Sequence, residues 1–388
     1  MQTLEQFTYL QSASGSALIA EVAADQAAGR SELQSATRLR AIYPAEMVAA
    51  ALTLVSVRER ATAKFTRAAD MWLTRPGFEQ ASSEPIARYR AARFAGFERV
   101  ADLCCGIGGD LIGLASVSEV TAFDRDPLHL ACALANAAVY GVDARVSGVE
   151  ADVTVSDLGR FEAVFIDPAR RSERGRLASS QTEPPLTWVF ALADSIAPVG
   201  IKAAPGIERD IAPAGWELEF IADGRNLKEA ALWSPELATA PRRATLFPEG
   251  ISFLAYPGDP VPVLPPGGFL LDPNPAITRA GLVQDLARTI GAWQIDPEIA
   301  FLSTDQPVVT PWARTLRVIA SMPWRIKDVS AALRVHGIGA VDIRRRGLAG
   351  DVEAIRKQLK LSGSGRATVA MTRHRDQPWC VVGVETLA

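Results

Sequence analysis

ADLCCGIGGD, residues 101–110, is the stretch from which the fold is read. An apolar strand runs into Asp102 and Leu103, and Gly106, Gly108 and Gly109 then turn the chain into a helix. Glycine lets the backbone turn sharply and approach a ligand closely, because no side chain stands in the way. Such a turn alone is weak evidence, since nucleotide-binding folds of many kinds use one. Three further acids sharpen it. Asp124 closes a second strand about 20 residues on, where an acid accepts the ribose hydroxyls of an adenosine cofactor. Asp152 follows the third strand, within reach of an adenine amine, and Asp167-Pro168-Ala169-Arg170 closes the fourth. All four acids fall at carboxyl ends of parallel strands, the edge at which open α/β sheets bind ligands. Singly, each has a bland reading: Asp102 as a helix cap, Asp124 as a solvated strand end, Asp152 as a surface turn. Their common register with strand ends argues for a site.

Outward from this turn, short apolar runs alternate with helical stretches. Strands are expected near Arg99–Cys104, Glu119–Phe123, Ala144–Ser147, Glu162–Ile166, Gly200–Ala204, Glu217–Ala222 and Glu229–Trp233. The alternation implies an α/β, doubly wound, Rossmann-like parallel sheet covered on both faces. The last strands leave no room for a helix between them, so an antiparallel hairpin is expected at one edge. Residues 1–80 read as a helical domain, with Pro44 at a helix start. Residues 81–256 form the sheet domain. The passage PGDPVPVLPPGGFLLDPNP, 257–275, carries too many prolines for a strand or helix and reads as a connector, with a mixed region following to 309. Residues 310–388 read as a small α/β module with strands at Trp312–Met322, Ala340–Arg344 and Ala367–Thr372 and a helix at Lys327–Val335.

The 388 residues are too many for one ordinary core. The chain is 48% hydrophobic and 22% charged, and no window reaches the ~20 apolar residues that span a bilayer. The N-terminus lacks the basic start and apolar core of a signal peptide, so a cytoplasmic protein is expected. Cys104 and Cys105 are adjacent while Cys132 and Cys380 stand alone, and the three histidines form no HxxxH pair, so no metal site is expected. The net charge of −3 hides an asymmetry. From Thr310 onward there are 14 Lys+Arg against 6 Asp+Glu, leaving 27 against 38 in the remainder. Such a split points to a polyanion at the C-terminal module or to packing against the acidic part of the same chain.

A nicotinamide dehydrogenase would place G-x-G-x-x-G in the turn. Here the spacing is G-x-G-G with Asp102 ahead of it, which fits the S-adenosylmethionine (SAM) methyltransferase motif instead. DLCCGIGG, the following FDRDP and the run LANAAVYGV closely resemble RNA methyltransferases, especially the cap trimethylguanosine synthase group. KFTRAADMWLTRPGFEQASSEPIARY, 64–89, resembles the segment that precedes the SAM fold in that group and helps cover the cofactor. The whole layout is similar to bacterial SAM-dependent methyltransferases with a THUMP-like C-terminal domain, which implies RNA as a partner. The cofactor residues expected from motif and resemblance together are Asp102, Cys104, Gly106, Gly108, Gly109, Asp124, Arg125 and Asp152.

The chain also departs from that group. Where the trimethylguanosine synthases place a proline pair and a tryptophan that stacks on the cap base, this chain has Asp167-Pro168-Ala169-Arg170-Arg171, so cap recognition is not supported. DPAR also resembles the fourth motif of uridine carbon-5 methyltransferases, but IKAAPGI, 201–207, offers no nucleophilic cysteine. An amine acceptor of the activated methyl chiefly needs in-line placement and an acceptor for its hydrogens. Asp167, Pro168 and Arg170 are therefore the expected catalytic residues. Arg170, Arg171, Lys202 and the triplet Arg344, Arg345 and Arg346 are the expected substrate contacts, the arginines through phosphate. The expected reaction is methylation of a base nitrogen in RNA, guanine favoured. A small-molecule methyltransferase and a catalytically inactive SAM-binding scaffold stay open beside it.

Overall fold

The computed structural model describes residues 1–169, 171–172, 175–176, 182–196 and 198–385. Four helices open the chain: α1 (Leu4–Gln11), α2 (Ala13–Ala27), α3 (Glu32–Leu39) and α4 (Ala45–Ala61). Thr3, Ser12 and Ser31 accept backbone hydrogen bonds at the first three N-termini, and Gln34 completes a reciprocal box with Ser31. Pro44 stands immediately before α4. Apolar positions at helical spacing, Leu10, Leu18, Val22, Val48, Ala51 and Leu54 among them, pack into one core with Phe65 and Met71.

Two short helices, α5 (Arg75–Gln80) and α6 (Glu84–Ala91), lead into the sheet. There follow β1 (Arg99–Leu103), α7 (Leu111–Ala115), β2 (Glu119–Asp124), α8 (Pro127–Val139), β3 (Val146–Glu150) and β4 (Ala163–Ile166). A two-residue pair, β5 (Arg171–Ser172) and β6 (Gly175–Arg176), precedes α9 (Leu186–Leu192), β7 (Val199–Ala203), β8 (Glu217–Asp223) and β9 (Asn226–Trp233). Met1–Glu217 and Glu229–Thr239 form one compact unit. Its strands lie in the order β9-β7-β4-β1-β2-β3, parallel except for β9, which pairs antiparallel with β7 from Gly200↔Trp233 to Ala203↔Ala230. Every residue of β4 and β7 is buried, as parallel strands covered on both faces require. From β1 the chain moves to β2 and β3 on one side and to β4 and β7 on the other. That reversal opens a crevice at the carboxyl ends of the strands.

The second unit comprises Leu218–Lys228 and Ala240–Ala388. In it β8 pairs parallel with β10 (Arg242–Phe247), which pairs antiparallel with β11 (Ile251–Leu254). Then come β12 (Phe269–Pro273), α10 (Pro275–Ala280), α11 (Val283–Ile290), β13 (Trp293–Gln294), β14 (Leu302–Thr304) and β15 (Ala313–Pro323). The chain ends with α12 (Ile326–Val335), β16 (Ile338–Arg345), α13 (Val352–Gln358), β17 (Gly365–His374) and β18 (Gln377–Glu385). Seven strands form the sheet β13-β14-β12-β15-β18-β17-β16. The passage 257–275 is thus more than a connector. Its FLLD core, lying between Pro266 and Pro273, is an inner strand paired with both β14 and β15. Pro275 then starts α10 from the first turn, where its missing N–H costs nothing, with Asn274 capping.

Candidate active site

The carboxyl ends of β1, β2 and β4 border a cavity of about 770 Å³, within the usual range for small-molecule sites. Cys104, Gly106 and Gly109 line it from the glycine turn, Asp124 and Arg125 from the end of β2, Asp152 from beyond β3, and Asp167 and Pro168 from the end of β4. A further wall comes from Gly77, Glu79, Gln80 and Ala81, within the segment whose resemblance implied a cofactor cover.

Two glycines of the turn have different reasons. Gly106 has φ +53°, and a Cβ there would meet no atom within 4 Å, so this backbone lies open. Gly108, at φ +83°, has no room for a side chain, since a Cβ there would stand 3.0 Å from the Ala133 Cα, and the residue does not line the cavity. Cys104 adopts φ +58°, a left-handed conformation that costs a non-glycine residue about 1–2 kcal/mol. Burial pushes the thiols of Cys104 and Cys105 up, so neither is a ready nucleophile.

The acids differ as much. Asp124 accepts from the backbone amides of Gly106 (2.8 Å) and Asp126 (2.9 Å), which fixes its carboxylate at the cavity edge. Asp152 Oδ1 accepts from the amide (2.9 Å) and hydroxyl (2.7 Å) of Thr154, and these bonds hold its carboxyl below the usual range. Arg125 pairs with Glu183 at 2.7 Å on the rim. Asp102 is fully buried, and neither of its carboxyl oxygens has a hydrogen-bond partner among the described residues. Burial first, then the carboxylates of Asp110, Asp167 and Asp124, raise its pKa well above the ordinary aspartate value, while Lys202 opposes them.

Asp167 is held from the side. Its Oδ2 accepts from Lys202 Nζ at 2.5 Å, and Oδ1 takes no hydrogen bond from any described residue. Lys202 is only 5% exposed; it also donates to the Gln80 carbonyl at 3.0 Å and lies 3.9 Å from Asp110. The lysine expected at the substrate is thus a buried neighbour of the expected catalytic acid. Asp110 in turn pairs with Arg90, which pairs with Glu229 and donates to Ser82. Burial pushes the Asp110 carboxyl up, yet the charges of Arg90 and Lys202 hold it below the ordinary value.

Arg170 lies outside the described residues, and Arg171 is placed by its backbone alone, in β5. Arg344, Arg345 and Arg346 belong to the second unit, where they part company. Arg344 is exposed and pairs with half-exposed Asp342 at 3.0 Å; Arg345 is exposed and donates to the Gly350 carbonyl. Arg346 turns inward to buried Asp272 at 2.8 Å, beside Arg225 at 2.7 Å on the other oxygen. Sequence reasoning missed Gln80, Arg90, Asp110, Glu183 and Glu229. Two signals were available: Asp110 ends the glycine motif itself, and Gln80 lies in the segment 64–89 whose resemblance implied a cofactor cover. Among the described residues no group of three His, Cys, Asp or Glu side chains is placed to hold a metal ion, and no helix is long and apolar enough to cross a membrane.

Three family models match parts of the chain. Residues 97–179 match one described as RNA cap guanine-N2 methyltransferase, residues 313–385 one described as THUMP domain-like, and residues 3–61 a domain of unknown function. Two curated relatives, from Mycobacterium tuberculosis strains CDC 1551 and H37Rv, are both called uncharacterized S-adenosylmethionine-dependent methyltransferases. Each is 35% identical over 313 residues, spanning 78% of this chain and 85% of its own length. The crystal structure of a protein from Porphyromonas gingivalis W83, put forward as a methyltransferase, matches with a TM-score of 0.73 at 19% identity. That match covers 89% of this chain and 92% of the other, and speaks to the fold.

Proposed function

The chain belongs to the S-adenosylmethionine-dependent methyltransferases, and we propose from that premise that it methylates a base nitrogen of RNA, guanine favoured. The cavity fits the cofactor: its size is right and the Gly106 backbone is open, while Asp102, which does not line it, lies buried near the lining acids Asp124 and Asp167 with both carboxyl oxygens lacking a partner among the described residues. Asp124 is our candidate for the ribose hydroxyls and Asp152 for the adenine amine. Gly106, Gly109, Cys104 and Arg125 border the remainder. Bound SAM supplies a methyl group already activated by its sulfonium.

The observation that carries the amine reading is Asp167, which borders the cavity while its Oδ2 is tied to Lys202 and its Oδ1 takes no hydrogen bond from any described residue. A carboxylate so held accepts a hydrogen from an exocyclic amine and turns its lone pair toward the methyl. Pro168 stiffens the chain after it. The choice of RNA draws on the guanine-N2 family likeness around this motif and the THUMP-like likeness of residues 313–385. Arg170, Arg171, Arg344 and Arg345 are the candidates for phosphate.

Mass spectrometry of nucleosides from total RNA of a gene-deletion strain beside its parent tests this. One methylated guanine nucleoside should be lost. An unchanged profile would turn the reading toward a small-molecule amine.

A further inference from the structure

Lys202 is the least expected member of this site. A lysine at the end of a strand beside a cofactor cavity reads as a substrate contact, yet here the side chain is buried and its hydrogens are directed at protein. It reaches Asp167 Oδ2 at 2.5 Å on the neighbouring strand and the Gln80 carbonyl at 3.0 Å at the end of α5, with Asp110 at 3.9 Å. Burying an ammonium is costly unless its partners are fixed, and removing one partner leaves an uncompensated charge. Those partners are indeed fixed: Asp110 is held by Arg90, and Arg90 by Glu229 and Ser82.

We infer that Lys202 is a positioning residue: it clamps one oxygen of Asp167, turning the other to the methyl-transfer point, and with the same ammonium holds the Gln80 wall of the cavity. The inference rests on Asp167 being the group that orients the acceptor. The clamp decides which carboxylate oxygen is left for the acceptor, because Oδ2 leaving Lys202 would cost a buried cation its nearest carboxylate, with Asp110 at 3.9 Å the other. It also couples two parts of the site far apart in the chain. The wall that lines the cavity and the acid that orients the acceptor are set by one cation.

The test uses the full-length protein with Lys202→Met, Lys202→Arg and Asp167→Ala. Binding of S-adenosylhomocysteine, measured by calorimetry, should stay within about tenfold of the parent in all three, which shows that the variants are folded. Sinefungin, which carries an amine where SAM carries its methyl, reads Asp167 without any acceptor. It should bind more tightly than S-adenosylhomocysteine to the parent and to Lys202→Arg, and lose that preference in Asp167→Ala and Lys202→Met. With unmodified RNA as acceptor, Lys202→Met should lower kcat on the order of a hundredfold with little change in KM. In the Asp167→Ala background it should cost nothing further, since the two act as one unit. A sinefungin preference that survives Lys202→Met, or losses in kcat that simply add, would overturn the inference. If the sinefungin pattern holds while no RNA is methylated, the clamp stands and the RNA reading falls.

Discussion

Asp124 Oδ2 accepts a hydrogen bond from the backbone amide of Gly106, 2.8 Å away, so the end of the second strand is tied directly to the glycine turn after the first. The acid therefore has two tasks. It offers its remaining lone pairs to the cavity, and it holds the loop that forms the cavity's edge. Asp124→Ala should weaken SAM binding by about 2–3 kcal/mol, because charge-assisted hydrogen bonds are the stronger kind. The sheet should survive, because the strand's apolar residues are untouched. Calorimetry giving an unchanged SAM affinity would move the adenosine site elsewhere.

Asp167→Ala should leave SAM affinity within a few-fold while methyl transfer falls about a hundredfold or more, the pattern of a group that acts on the acceptor. Cys104→Ser and Cys105→Ser should keep most of the activity, since burial and then the neighbouring carboxylates of Asp102 and Asp124 push both thiols up and keep them protonated. Capture of a covalent RNA adduct through either cysteine would contradict this mechanism.

The parallel sheet and the glycine turn were legible because their causes are local. The strand AVFI at 163–166 is apolar throughout since both faces are covered, and Asp167 falls one residue beyond it, while Asp124 ends its own strand. The charge network was not legible, because its partners are brought together only by the fold. Ser82 meets Glu229 across 147 residues, and Lys202 meets Gln80 across 122. The strand Phe269–Pro273 was hidden for a different reason. Prolines counted over a window mask the fact that they flank four apolar and polar residues and interrupt none of them. Arg346 looked like its two neighbours until packing turned it toward Asp272.

Asp102 should make stability depend on pH in an unusual direction. Its folded pKa is raised by burial and by Asp110, Asp167 and Asp124. The unfolded chain titrates near the usual ~3.9. Between those two values the folded state holds a proton that the unfolded state has released, so the contribution of Asp102 to stability is lost as pH rises. Asp102→Asn removes that loss. Without cofactor, the variant should match its parent in Tm below about pH 4 and exceed it increasingly toward neutral pH. It should also bind SAM less well, having given up the acid. Thermal unfolding from pH 4 to pH 8 checks this, and a variant no more stable than its parent at pH 8 would show that burying this carboxyl is not penalised.

RNA contact by the second unit is best tested with the arginines that face solvent. Among the described residues Arg344 pairs with half-exposed Asp342, and such surface pairs are worth about 0–1 kcal/mol, so its charge can exchange that partner for phosphate. Among the described residues Arg345 reaches the Gly350 carbonyl and no carboxylate. Replacing both with alanine should leave the fold and SAM affinity intact. It should also flatten the salt dependence of RNA binding by roughly one unit for each phosphate contact removed. Arg346→Ala should behave differently. It leaves buried Asp272 with Arg225 as its remaining partner, so a loss of a few kcal/mol of stability is expected before any effect on RNA is read. Filter binding across a salt series, with Tm measured beside it, separates the two classes. RNA affinity of the intact protein that does not fall with salt would remove phosphate contact from the account and leave a small-molecule amine as the better acceptor.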